Sequence, residues 1–226
     1  MGWASRCDNT RRALCATFLP LMLGLAAGLG PAAAQKVGVA AAVNPDAFTS
    51  RGGQLNIGKS IFFNERISTT GSGLVQVLLV DGSTFTVGPG SDLVIDKFVY
   101  NPKKETGEVV ATFSKGPMRY VGGKISTNED GVTINTPNGS LAVRGGMVQG
   151  IVSGRQVLFS FLFGKEMVFT ASNGKIYTVF QPGYTLDLSG GVVTVRPTTA
   201  ADTACRPCRD DGLVLNFQGF FNERRA

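Results

Sequence analysis

Gly53-Gln-Leu-Asn-Ile-Gly58-Lys59-Ser60 matches, letter by letter, the loop that cradles nucleotide phosphates. That chemistry needs a buried strand before the loop and a helix after it, so that backbone amides and a helix N-terminus meet the phosphate charge. Here residues 49–53 read as a loop and Ile61-Phe62-Phe63 as a strand. Nucleotide binding is therefore not expected, and Lys59 is read as an exposed strand residue. Cys205-Arg206-Pro207-Cys208 is the other motif with chemical potential. In an oxidising compartment Cys205 and Cys208 are expected to form a local disulfide, whose small ring stabilises the fold only modestly. Thioredoxin-like redox work would need the pair at a helix start after a strand, and Pro197–Asp202 does not supply that. Two thiolates in a chain without histidine do not complete a structural zinc site. The same lack of histidine removes Ser-His and Cys-His nucleophile systems. The carboxylate pairs Glu129-Asp130 and Asp210-Asp211 lie in polar loops and read as solvation, and Asp81 reads as a turn former. The expectation is no enzyme, with no catalytic, cofactor-binding or metal-ligating residue.

The elements that would carry any site are all strands. No stretch after Gln35 sustains a helical period. Short apolar, β-branched runs alternate instead with turn chemistry. Their centre is Gly71–Ser91, where Leu74–Val80 and Thr84–Val87 flank Asp81-Gly82, a strong hairpin signal. A two-residue turn there sets Leu78 opposite Phe85 and Val80 opposite Ser83, so that Phe85 and Val87 share a face with Leu78. Val75, Val77 and Leu79 then oppose Thr84 and Thr86. Further strands are expected at Val37–Val43, Ser60–Phe63, Arg66–Thr70 and Leu93–Tyr100. Next come Gly107–Ser114, Met118–Val121, Val132–Asn135, Ser140–Val143 and Met147–Val152. The last are Gln156–Phe163, Glu166–Ala171, Lys175–Phe180, Tyr184–Leu188 and Val192–Arg196. Gly122-Gly123 is read as a break, and Pro89, Pro137, Gly139, Gly145 and Gly146 as turn positions with Asp81, Gly82 and Ser83. Gln181-Pro182-Gly183 echoes Gly88-Pro89-Gly90, which suggests a weak repeat of strand, tight turn, strand and corner. The fold class is all-β: a flattened β-solenoid or a two-sheet sandwich of many short strands.

These residues also carry a resemblance. The run Ser68-Thr69-Thr70, Val80-Asp81-Gly82-Ser83 and Val87-Gly88-Pro89-Gly90-Ser91 is similar to the FecR domain family. So, downstream, are Thr136-Pro137-Asn138-Gly139 and Ala142-Val143-Arg144-Gly145-Gly146. The family usually carries Arg-Gly-Thr in the second block, so Gly146 is a departure that keeps a turn-permissive residue. The likeness runs over roughly residues 37–190. It implies a periplasmic module that senses an outer-membrane receptor and relays its state to a sigma-factor system.

The first 34 residues read as a signal-peptide helix. Arg6, Arg11 and Arg12 form a basic start, Ala13–Leu29 is apolar, and Pro31-Ala32-Ala33-Ala34 offers small residues for cleavage before Gln35. The alternative is an uncleaved anchor, and both general and twin-arginine export stay open. Cys7 and Cys15 leave with this leader. Removing its three arginines and Asp8 from 22 basic and 16 acidic residues leaves a net charge of +4, scattered rather than gathered on one face, which argues against nucleic-acid binding. The expected organisation is a leader (1–34), a FecR-like β domain (35–196), a polar linker with the cysteine pair (197–212) and a C-terminal strand (213–226). Phe-Phe-Asn-Glu-Arg occurs at both Phe62–Arg66 and Phe220–Arg224. The repeat reads as coincidence or as a strand able to exchange between molecules.

The expected function follows. The chain reads as an exported, non-enzymatic binding or sensing module of a Gram-negative envelope, in the periplasm or at the cell surface. It is expected to recognise an envelope or outer-membrane protein, without a cofactor, without a membrane span after cleavage and without a cytoplasmic anti-sigma region of its own. Arg144 is its candidate partner contact. The alternative is a surface-assembly β protein that self-associates.

Overall fold

The structure is a computed structural model and describes residues 35–203. The expected leader (1–34), the cysteines Cys205 and Cys208, the rest of the polar linker and the C-terminal strand lie outside the described residues. Fifteen strands follow in chain order: β1 (Lys36–Asn44), β2 (Ala47–Thr49), β3 (Gly53–Gln54), β4 (Ser60–Phe62) and β5 (Arg66–Thr69). Then come β6 (Leu74–Leu79), β7 (Thr84–Val87), β8 (Asp92–Asn101), β9 (Thr106–Val121) and β10 (Val132–Thr136). The last are β11 (Gly139–Ser153), β12 (Gln156–Ala171), β13 (Ile176–Val179), β14 (Tyr184–Ser189) and β15 (Val192–Pro197). A 3-10 turn, Ile125–Thr127, joins β9 to β10, and one helical turn, α1 (Ala200–Thr203), follows β15.

All fifteen strands form one hydrogen-bonded sheet, folded back on itself into two layers. The first layer runs β3-β2-β5-β8, then the N-terminal half of β9, β10, the N-terminal half of β11, the C-terminal half of β12, and β13. The second runs β4-β1-β6-β7, then the C-terminal halves of β9 and β11, the N-terminal half of β12, β14 and β15. Both layers supply one buried cluster, with Val109, Phe113 and Ile134 from the first and Phe85, Tyr120 and Phe159 from the second. Phe85 and Tyr120 pack tilted at 47°, 4.9 Å between ring centroids, an aromatic pair worth about 1 kcal/mol beyond the area it buries.

The registers place the corners on two edges. On the first edge the chain turns from layer to layer at Pro45-Asp46, at Thr70–Gly73, at Gly88–Ser91 and inside β9 at Gly116-Pro117. On the second edge it turns at Gly145-Gly146, at Gly164 and at Phe180–Gly183. After β5 the switch between edges is made once. β9 runs through the first layer, rounds the first edge and returns through the second. The segment 122–131 then crosses the second edge into β10, which lies parallel to the start of β9 with Val132 opposite Val109. That is one complete coil. Every other pairing is antiparallel, so a single solenoid turn sits inside a folded-over antiparallel sheet.

Two expectations need correction. The Asp81-Gly82 hairpin has a three-residue loop: the Leu79 N–H donates to the Ser83 carbonyl at 2.8 Å and the Gly82 N–H to the Leu79 carbonyl at 3.0 Å, with only Gly82 at positive φ. The register therefore moves by one: Leu78 faces Thr84 and Val77 faces Phe85. A slip of one residue exchanges the faces of a strand. Hence Val75, Val77 and Leu79 join Phe85 and Val87 in the core, while Leu78 is 40% exposed and Val80 lies at the exposed tip. Secondly, three pairs of expected strands are single strands, β9, β11 and β12. The breaks at Gly116-Pro117, Gly145-Gly146 and Gly164 bend the backbone without ending its ladder.

Candidate functional site

The quoted FecR-like residues gather at the two edges, and at each the local chemistry explains the residue type. On the first edge Thr69 is buried and its hydroxyl donates to the Gly88 carbonyl at 2.5 Å while accepting the Ser91 N–H at 2.9 Å. Ser91 donates to the Pro117 carbonyl at 3.1 Å, and the Gly88 N–H reaches the same carbonyl at 2.9 Å. Pro89 is buried inside this turn. A hydroxyl that both donates and accepts is what two backbones meeting at a dry corner require.

On the second edge the centre is Asp81, 3% exposed. Its carboxylate accepts the Ser83 N–H at 3.1 Å, the Ser83 hydroxyl, and the Ile125 N–H at 3.3 Å, so it ties the β6–β7 turn to the crossing segment. Its backbone carbonyl holds the Lys124 N–H at 3.0 Å. Gly123 packs directly on this turn: a Cβ there would overlap the Ser83 nitrogen. The Gly122 N–H donates to the Gly146 carbonyl at 2.7 Å, which joins the crossing to the corner in β11.

Tyr120 completes the junction. Burial first, and the nearby Asp81 charge second, push its phenol well above the usual value, so it stays neutral. Its hydroxyl lies toward Ser83 and Ser126 without hydrogen-bond geometry to either. An unpaired buried hydroxyl is a net liability, so Tyr120→Phe is expected to leave stability unchanged or raise it by up to about 1 kcal/mol in urea unfolding. A loss above that size would show that the hydroxyl is bonded after all.

Arg144 sits beside this junction on β11. Its guanidinium donates to Glu166, directly across on β12, at 3.0 Å, and also to Glu129 in the crossing segment. Both bonds push its pKa further up. Glu129, read from sequence as solvated, thus has a cationic partner. Pro137 and Asn138 form the tight link between β10 and β11, closed by the pairing of Thr136 with Gly139.

The phosphate-loop look-alike is built differently from a phosphate site. Gly53 and Gln54 are the short strand β3, paired with Thr49 and Phe48 of β2, so residues 49–53 are two strand ends around a loop rather than loop throughout. Strand β4, not a helix, follows Ser60. Lys59 precedes that strand half-buried, and its ammonium donates to the Gly52 carbonyl at 2.7 Å and the Gln54 carbonyl at 3.2 Å. Phe62–Arg66 forms the link from β4 to β5, with Asn64 at φ 57° and the buried Glu65 carboxylate accepting the Phe62 N–H at 2.9 Å.

Two rows of side chains cross the outward face of the second layer. One is mainly apolar, interrupted by Thr84: Val39, Leu78, Thr84, Val121, Met147 and Phe163, each opposite the next on adjacent strands. Leu78 is 40% and Phe163 70% exposed. The other is polar: Thr86, Arg119, Gln149, Ser160, Thr185 and Arg196, again strand to strand. The Gln149 amide oxygen accepts from Arg119 at 2.5 and 3.1 Å, and Ser160 and Thr185 share a hydrogen bond of 2.8 Å. Burial pulls the Arg119 pKa below its usual value. Sequence reasoning missed both rows, because the residues in each come from strands far apart in the chain. Among the described residues no cluster of His, Cys, Asp or Glu could hold a metal ion, and no helix is long and apolar enough to cross a membrane.

Fold and edges together define an all-β scaffold whose motif residues lock its corners and whose second layer carries the outward rows. No family model matches the chain, and no curated protein matches it. Two crystal structures of a "putative anti-sigma factor" from Parabacteroides distasonis ATCC 8503 are similar to it, each with a TM-score of 0.46 and 13% sequence identity. The match covers 60% of this chain and 60% of the solved chain.

Proposed function

We propose that the protein is an exported, non-enzymatic recognition module of the bacterial envelope that binds another envelope protein in a signalling system, as the FecR-like residues suggest. One observation carries the reading: the apolar row from Val39 to Phe163 crosses six strands on the outward face, with Leu78 and Phe163 open to solvent. Exposed apolar side chains on a rigid sheet favour association with another macromolecule. The motif residues themselves act below that surface, holding the sheet in shape. Arg144, tied to Glu129 and Glu166, is a positioning residue in this reading rather than a contact.

A photo-crosslinking phenylalanine analogue at Phe163, expressed in the native cell, tests this. It is expected to trap an envelope protein as a discrete adduct, and the same analogue at Val99, an exposed residue of the first layer, is expected to trap none. The second reading is self-assembly, and it is favoured by the edge strands β4 and β15, each paired on one side only. An adduct at Phe163 made solely of two copies of this chain would establish that reading and reject recognition of a different protein. Absence of any adduct would reject both.

A further inference from the structure

The polar row on the second layer is more deeply buried than an outward face of a sheet should be. Thr86 is 9% exposed, Gln149 4%, and Ser160 and Thr185 are fully covered, although the residues beside them in their strands point into the core. Part of the cover is visible. After β15 the chain doubles back over the face as a strap. The Thr198 hydroxyl bonds that of Thr185 on β14 at 2.8 Å, and Gln149 on β11 donates to the Thr203 carbonyl at 2.7 Å. The strap is pinned by Asp202, which accepts two bonds from Arg196 at 2.6 and 2.8 Å and two from Thr199 at 2.7 Å. The Arg196 pairing holds the Asp202 carboxyl far below the usual carboxylate range.

The direction of travel is set by these contacts. Between Thr198 and Thr203 the chain crosses from β14 over β12 to β11, following the polar row. At Thr203 it stands over Gln149, and the row continues on β9, β7 and β6 through Arg119, Thr86 and Gln76. Those three strands span about 15 Å at the usual interstrand spacing. Five residues of extended chain cover that distance at about 3.3 Å each, and 23 residues of the sequence follow Thr203.

We infer that the polar row is a docking track for the chain's own C-terminal segment, with residues 204–210 continuing the strap over Arg119, Thr86 and Gln76. The occupant is this segment of the same molecule. Its consequence is a division of the outward face: the polar row is closed by the chain itself, and the neighbouring apolar row is left for a partner. The track does not depend on the recognition reading and stands without it.

Labelling of a single thiol tests the track in the whole chain. Cys7, Cys15, Cys205 and Cys208 are replaced by serine, Thr86→Cys is introduced, and a protease site is inserted between Thr203 and Ala204. The folded protein is labelled with a maleimide before cutting, and again after cutting and removal of the released segment. Labelling is expected to accelerate by about tenfold after the cut, as closure of a local opening equilibrium would require. Gln76→Cys, on the same row, gives the same readout if Thr86→Cys fails to fold. Equal rates before and after the cut would overturn the proposal. So would protection that fades on dilution, which would make a second copy the occupant, or an equal acceleration at Leu78→Cys on the open row, which would mean the sheet had loosened.

Discussion

Asp81→Ala is expected to lower the unfolding free energy by about 3 kcal/mol, because it strands two buried N–H groups and the Ser83 hydroxyl that its carboxylate accepts. The groups stranded are those of Ser83 and Ile125, 3.1 and 3.3 Å from the carboxylate oxygens. They belong to segments 42 residues apart in the chain. The turn also has no slack, since Gly123 lies against the Ser83 nitrogen. Asp81→Asn keeps an acceptor and is expected to lose only about 1 kcal/mol. Urea unfolding of the chain from Gln35 onward reads both. An alanine variant within about 0.5 kcal/mol of the parent would show that the turn is held by its backbone alone.

Asp81 was legible as a turn former because Asp-Gly between two β-rich runs leaves little else. Its bond to Ile125 was not legible, since it depends on the crossing segment reaching the second edge. The hairpin itself shows the same limit. Val80-Asp81-Gly82 accommodates a two-residue or a three-residue loop, and only the pairing of Leu79 with Ser83 decides between them. With that decision goes the whole face of β6: Leu78 outward, Val77 and Leu79 inward. The polar row was further out of reach, because assembling Thr86, Arg119, Gln149, Ser160 and Thr185 needs four correct registers in succession.

The corners were half legible. Gly88-Pro89-Gly90 and Gln181-Pro182-Gly183 echo each other in sequence, and they do equivalent work. Each carries the chain between layers beside a long bent strand, β9 in the first case and β12 in the second. What the echo did not disclose is that they lie on opposite edges. The exchange of edges is forced by the coil through 122–131, and its sequence trace is only Gly122-Gly123 followed by a polar loop. Glycine pairs there and at Gly145-Gly146 read equally well as strand ends. The structure uses the first to end a strand and the second to fold one.

The second of these pairs gives the other large expected effect. Gly146→Thr, which places there the residue usual in the family the sequence resembles, is expected to destabilise this chain by more than about 3 kcal/mol, from a strained backbone and an overlap that must be relieved. Gly146 has φ 145°, and a Cβ on it would run into the Phe163 carbonyl oxygen and the Gly164 Cα. Gly164 is its cross-strand partner, and it is equally tight: a Cβ there would meet the Gly145 carbonyl. The two glycines therefore sit face to face where β11 and β12 fold together, and neither has room to change alone. Gly145 is the control. Its φ is 54°, but a Cβ on it would find its nearest neighbour, the Ser126 carbonyl, at 3.9 Å. Gly145→Ala thus meets the left-handed backbone cost alone, about 1 kcal/mol. Thermal or urea unfolding of both variants separates conformational strain from overlap. Equal losses at the two positions would mean that Phe163 and Gly164 yield readily, so that the departure from threonine at 146 would have no origin in this corner.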